Sequence, residues 1–130
     1  MPITYRIDAT RQRVFTHVTG AISAVDIVGH FEVARREGFL PYAEMIDASS
    51  IVDPTLSLVE IGKAALAVRN LGLEQTFGSR AVLVANDTIF ALARAFTTLL
   101  SGYIPMEVFR DPIAAEKWLN QRSGGERTSG

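Results

Sequence analysis

The sequence predicts an α/β domain with a mixed sheet, and three observations carry that prediction. Two short stretches, Ile3 to Ala9 and Val14 to Thr19, alternate apolar and polar residues and are separated only by a polar turn. That pattern is an antiparallel strand pair. Further on, the apolar run Arg80-Ala-Val-Leu-Val-Ala85 passes through Asn86-Asp87-Thr88 into the apolar helix Ile89 to Leu100, which is half of a βαβ unit. Between and after these, strand-like and helix-like segments take turns along the chain.

In the first strand Ile3, Tyr5 and Ile7 oppose Thr4, Arg6 and Asp8. In the second, Val14, Thr16 and Val18 share one face and Phe15, His17 and Thr19 the other, and Gly20 ends it. Ser23-Ala-Val-Asp26 reads as a capping box with Asp in place of Glu. Ala24, Ile27, Val28, Phe31 and Ala34 then lie on one helical face, and Glu37-Gly38 closes the helix. Leu40-Pro41 begins a turn, Ala43 to Asp47 is a short third strand, and Ser49 to Pro54 is a polar loop.

A second helix starts at Asp53-Pro54 or at the Ser57-Leu-Val-Glu60 box. Its inward stripe is Leu58, Ile61, Ala65 and Val68, and Asn70-Leu-Gly72 stops it. The fourth strand and third helix follow, with Asp87 as the helix cap and Ser101-Gly102 as the stop. Met106 to Phe109 is a fifth strand, and Asp111-Pro112 opens a last helix through Trp118-Leu119. Residues 1–122 form a single domain, and residues 123–130, rich in Ser and Gly, are expected as a disordered tail. Helical crossovers require the later strands to be parallel.

At 130 residues, with 48% hydrophobic and 21% charged residues, the chain can bury a core without disulfides or a metal. A net charge of −1 with scattered basic residues leaves no nucleic-acid footprint. The absence of Cys excludes disulfides, thiolate ligands and thiol nucleophiles, and suits a reducing cytoplasm. The N-terminal Met-Pro-Ile-Thr-Tyr-Arg lacks the layout of a secretory signal, and no apolar run approaches a bilayer span. A cytoplasmic protein that does not span a membrane is expected.

There is no GxGxxG, Walker loop, GxSxG elbow or HExxH. His17 and His30 share no local motif, and His30 falls on the polar side of the first helix, so both are expected as partly exposed structural residues. A phospho-receiver would need an acidic cluster after its first strand and a Lys near its last. Asp8 stands alone, and Met106 to Arg110 holds no Lys. An enzyme would have to bring together Asp47, Asp53 and His17. The expectation is therefore no enzyme, no cofactor and no metal.

Two stretches suggest binding. The polar run Asp47 to Ser57 ends in the exposed start of a helix, where a phosphate would meet free N–H groups; the same Ser and Thr residues also serve as ordinary caps. At about 100° per residue the third helix places Ile89, Leu92, Ala93, Phe96, Leu99 and Leu100 on a core arc. Phe90, Arg94 and Thr97 lie off that arc, and an aromatic beside an Arg suits a partner or ligand surface.

Taken in order, Ile3-Thr-Tyr-Arg-Ile-Asp8, Val14-Phe-Thr-His-Val-Thr-Gly20, Met45-Ile-Asp-Ala-Ser-Ser50, Val84-Ala-Asn-Asp87 with Phe90-Ala-Leu-Ala-Arg94, and Val108-Phe-Arg-Asp111 with Ala115-Glu-Lys-Trp-Leu119 resemble the SpoIIAA-like proteins, relatives of STAS domains. The resemblance covers about residues 3–120. It implies a SpoIIAA-like (STAS-like) mixed sheet of about five strands with an N-terminal hairpin and four helices, serving protein contacts or small-ligand sensing without catalysis. In STAS antagonists a regulated Ser lies in an Asp-Ser-Ser-Gly-Leu motif. The matching stretch here is Thr55-Leu-Ser-Leu-Val59, so Ser57 is the candidate phospho-switch, although the flanking Ser and the Gly are missing.

The leading expectation is a homodimeric, regulatory interaction domain, with excess apolar surface at Val59, Leu66, Leu71 and Phe90. Some family members are similar to Sec14-type lipid-binding domains. The alternative is thus a small apolar or acyl ligand between the second and third helices, its anionic head group held by Arg94 or Lys63.

Overall fold

A computed structural model describes residues 2–51, 55–71 and 77–129 of the chain, with side chains as far as Arg122. The described elements are β1 (Ile3–Asp8), β2 (Arg13–Val18), α1 (Ala24–Glu37), β3 (Ala43–Asp47), α2 (Leu58–Leu71), β4 (Arg80–Leu83), α3 (Asp87–Leu99), β5 (Met106–Phe109) and α4 (Pro112–Ser129). The order of elements is the one the periodicity predicts. Residues 123–129, expected as a disordered tail, fall within α4.

The five strands form one sheet in the order β1-β2-β3-β4-β5. β1 and β2 are antiparallel, with Tyr5 opposite Thr16; every later neighbour is parallel. Because side chains alternate across a strand, the sheet has two distinct faces. Val14, Thr16, Val18, Glu44, Ile46, Arg80, Val82 and Val84 face α1, α2 and α3, where Phe31, Ala65, Val68, Phe96 and Leu100 complete the main core. On the other face Ala43, Met45 and Ala81 meet Ala115 and Leu119 of α4. Arg13 ties β2 to that helix, its guanidinium 3.3 Å from Glu116 and donating to Asn120 Oδ1 at 3.0 Å.

The helix starts follow their side chains. Ser23 caps α1 in a full capping box with Asp26. Of the two starts open for α2, the Ser57 box is the one formed: Glu60 N–H donates to Ser57 Oγ at 3.2 Å, and Ser57 N–H donates to Glu60 Oε1 at 3.1 Å. Asp53 and Pro54 lie outside the described residues. α3 is capped by Asn86, whose Oδ1 accepts from Ile89 N–H at 2.9 Å, and not by Asp87. Asp87 instead stands in the first turn, 2.5 Å from Arg110 Nη2. α1 ends on Gly38 at φ 83°, a left-handed position that suits glycine.

α3 is rotated from its expected arc. Thr97 is buried at 7% exposure while Leu99 is 46% exposed. Thr97 can go inward because its Oγ1 donates to the Arg94 carbonyl at 3.0 Å, so no hydroxyl is left unpaired. Leu58, expected on the inward stripe of α2, is exposed. As the first helical residue after the Ser57 cap it lies at the very start of the helix.

Candidate functional site

The strand parity that builds the core also brings two opposite charges into it. Glu44 is the second residue of β3 and shares the inward face with Ile46 and Ala48. Arg80, paired with it across the parallel ladder, shares that face with Val82 and Val84. Both are fully buried. Arg80 Nε stands 3.0 Å from Glu44 Oε1, but off the line of a straight hydrogen bond, so the contact is chiefly charge on charge. Arg80 Nη1 donates to the Gly78 carbonyl at 2.7 Å. The faces of Phe31 and Phe77 lie 5.7 and 5.8 Å from its guanidinium carbon.

The other carboxylate oxygen of Glu44 is bound from two sides. His30 Nε2 lies 2.6 Å away, and the Thr16 hydroxyl donates to the same oxygen. His30 is buried at the inner edge of α1, not on its polar side, and Tyr5 and Phe39 pack on its ring. Burial alone would raise the Glu44 carboxyl; the His30 hydrogen bond, the Arg80 charge and the Thr16 hydroxyl outweigh it and hold the carboxyl below its ordinary value. Burial likewise pushes the Arg80 guanidinium down against the pull of Glu44.

The sign of the consequence is fixed. With a folded-state pKa lowered from 4.5, Glu44 contributes stability above that value, and the contribution is lost as pH falls through the folded one. Urea midpoints taken from pH 7 to pH 3 are expected to drop below about pH 4.5, less steeply in Glu44→Gln. Equal slopes in the two proteins would refute the assignment.

Thr16 and His30 lie where this cluster meets a cavity of about 140 Å³ between the sheet and helices α1 to α3. Val18, Ile46, Ala48, Val82 and Val84 form its floor. Ile27 and Phe31 of α1, Ile61 of α2, and Ile89, Leu92, Ala93 and Phe96 of α3 form its roof. Ile3, Ile22, Ile51 and Leu56 stand around it toward the C-terminal ends of the parallel strands, the end where open α/β sheets bind ligands. Among the described residues, the surface that faces the cavity is entirely apolar. Three polar atoms of its lining residues are spent elsewhere: Thr16 Oγ1 and His30 Nε2 on Glu44, and Thr55 Oγ1 on the Ile22 carbonyl at 2.6 Å.

The residues singled out from the sequence do not assemble into this site. Ser57 caps α2 with an exposed hydroxyl. Val59 and Leu66 are 67% and 57% exposed. Lys63 borders a separate shallow groove with Val25 and Val28 of α1. Phe90 is half-buried among core residues, with Arg110 stacked 4.6 Å from its ring centre. Arg94 is exposed, 4.0 Å from Glu107, and Thr97 is buried. Neither Lys63 nor Arg94 lines the cavity, and Phe90, Arg94 and Thr97 do not form a common exposed patch.

The trio suggested for catalysis fares similarly. His17 Nε2 is 3.4 Å from Ser50 Oγ, while Asp47 turns to its own loop and accepts from Ser49 N–H and Oγ at 3.0 and 2.5 Å. Asp53 lies outside the described residues. Among the described residues no group of three or more His, Asp or Glu is placed to hold a metal, and no helix is long and apolar enough to cross a membrane.

No protein-family model matches the chain, and a search of curated proteins found no match.

Proposed function

We propose that the chain is a non-enzymatic binding domain of SpoIIAA-like fold that holds a small apolar molecule between its sheet and helices α1 to α3. The observation that carries this reading is the apolar cavity of about 140 Å³. Protein interiors are close-packed, and voids much larger than a water molecule are few and costly. An apolar space of this size, opening between the sheet and the helices, has the character of a ligand pocket. The buried Glu44–Arg80 pair and its His30 and Thr16 partners support the same reading, because they pin β2, β3, β4 and α1 around the cavity instead of leaving its walls free to collapse. The reading moves the ligand from the cleft between the second and third helices to the space beneath them.

Thermal denaturation across a panel of small aromatics, short alkanes, alcohols and fatty acids tests it. At least one class is expected to raise the midpoint of the wild-type protein in a concentration-dependent way. Absence of any shift at ligand saturation in water would count against the proposal.

A second reading, a homodimeric interaction domain, has its own support in the exposed Leu58, Val59 and Leu66 of α2 and the neighbouring Val25 of α1. Such apolar clusters mark contact surfaces. Light scattering after size exclusion is expected to give a dimer for the wild type at micromolar concentration and a monomer for Leu66→Asp. A monomeric wild type would remove this reading. Phe90→Asp is the poorer probe, since Phe90 is half-buried beneath Arg110 and its loss would disturb the core as well.

A further inference from the structure

Building on the ligand-binding reading, we infer that the occupant is one uncharged, wholly apolar molecule of roughly six to eight non-hydrogen atoms, a monocyclic aromatic or a compact hydrocarbon, and not an acyl chain with an anionic head. Three observations lead there.

The first is size. An apolar cavity of about 150 Å³ stays dry and admits benzene or xenon, and this one holds about 140 Å³. A long acyl chain would not be contained within the walls.

The second is the wall. Water in a cavity needs two to four polar partners. Here the facing surface is apolar among the described residues, and the Thr16 and Thr55 hydroxyls and His30 Nε2 are committed to Glu44 or to backbone. A hydroxyl or carboxylate placed against these walls would have no partner among the described residues, and an unpaired polar group in such surroundings is strongly disfavoured.

The third is charge. Arg80, the cation behind the wall, is occupied with Glu44 and the Gly78 carbonyl. Lys63 and Arg94, which could have held an anionic head, lie outside the cavity lining. Among the described residues no Lys or Arg lines the cavity to receive an acidic head. Binding to a preformed dry apolar pocket is frequently driven by enthalpy at room temperature, and that signature belongs to the occupant inferred here.

Methyl-labelled full-length protein titrated separately with toluene and with octanoate decides the matter. Toluene is expected to shift the methyl signals of Val18, Ile46, Val84 and Ile89 saturably, with Leu119 and Ile113 on the far helix unmoved, while octanoate leaves all of them in place. Filling the space with Ala93→Leu is expected to weaken toluene binding at least about tenfold, a difference of 1.4 kcal/mol, without unfolding the protein. Ala48→Leu, from the floor, serves the same purpose if the first variant fails to fold. Octanoate moving the cavity methyls while toluene does not would overturn the apolar assignment and leave the ligand-binding reading standing. If neither compound moves them, both fall. Undiminished toluene binding in a folded filled variant would place the toluene elsewhere and overturn the assignment as well.

Discussion

Glu44→Gln is expected to cost about 3–5 kcal/mol of unfolding free energy, or a drop of roughly 10–20 °C in midpoint for a domain of this size. The carboxylate is fully buried and is contacted by three side chains, Arg80, His30 and Thr16. A glutamine keeps the shape and still offers hydrogen bonds to Thr16 and His30, but it leaves the Arg80 guanidinium buried without a countercharge. That uncompensated charge, not the lost hydrogen bonding, sets the magnitude. Arg80→Met should cost a similar amount for the mirror-image reason. The double variant Glu44→Gln/Arg80→Met should cost clearly less than the two single losses added together, because the charges leave as a pair. Urea unfolding of the four proteins measures the cycle. Additive losses would show that the two residues act independently, contrary to the 3.0 Å contact.

Gly78→Ala carries the second large effect. A methyl on Gly78 would lie 2.3 Å from the Tyr42 carbonyl oxygen, 2.4 Å from that of Pro41 and 2.6 Å from the Tyr42 carbonyl carbon. All three are backbone atoms, so no side chain can swing aside to make room. Gly78 is also held in place from both ends of its peptide units: its N–H donates to the Leu40 carbonyl at 2.9 Å, and its own carbonyl accepts from Arg80. Relief must come from separating the segment before β4 from the turn before β3, which loosens the acceptor of the buried guanidinium. Overpacking of this kind costs about 1–3 kcal/mol, and more where the backbone must move; a loss of about 3 kcal/mol or more is expected here. Urea unfolding measures it, and a change within about 0.5 kcal/mol, the range of an ordinary surface substitution, would disprove the close approach.

Much of the architecture was legible because hydrophobic periodicity and capping residues act locally. The hairpin, the three crossovers and the capping boxes at Ser23 and Ser57 all follow from residues within a few positions of one another. The polar cluster was legible in part and was passed over. Glu44 alternates in step with Ile46, and Arg80 with Val82 and Val84, so parity alone puts both on the inward face; expecting charge to seek water hid them. His30 stands at i+3 from Ile27 and i−4 from Ala34, on the same helical stripe that was assigned to the core. Its burial depends on a carboxylate fourteen residues away, which helical mapping cannot supply. The rotation of α3 turned on whether Thr97 could satisfy its hydroxyl within its own helix. The cavity had no sequence signature at all. It is the volume left over when apolar side chains from β1 to β5 meet, and no residue type at any spacing announces a space between residues.

The strand order carries one more consequence. In a sheet ordered β1-β2-β3-β4-β5, every pairing closes over only the turn or crossover between two successive strands, so no strand waits for a partner made much later. Local closure of this kind lowers the entropic barrier to assembly, and the sheet can grow from one end like a zip. The cavity is different, because its lining begins at Ile3 and extends to Met106. It is complete only when the final strand has been laid down. An occupant therefore registers the completed sheet together with helices α1 to α3 and not any single element of them, and its binding energy is linked to the closing of that layer.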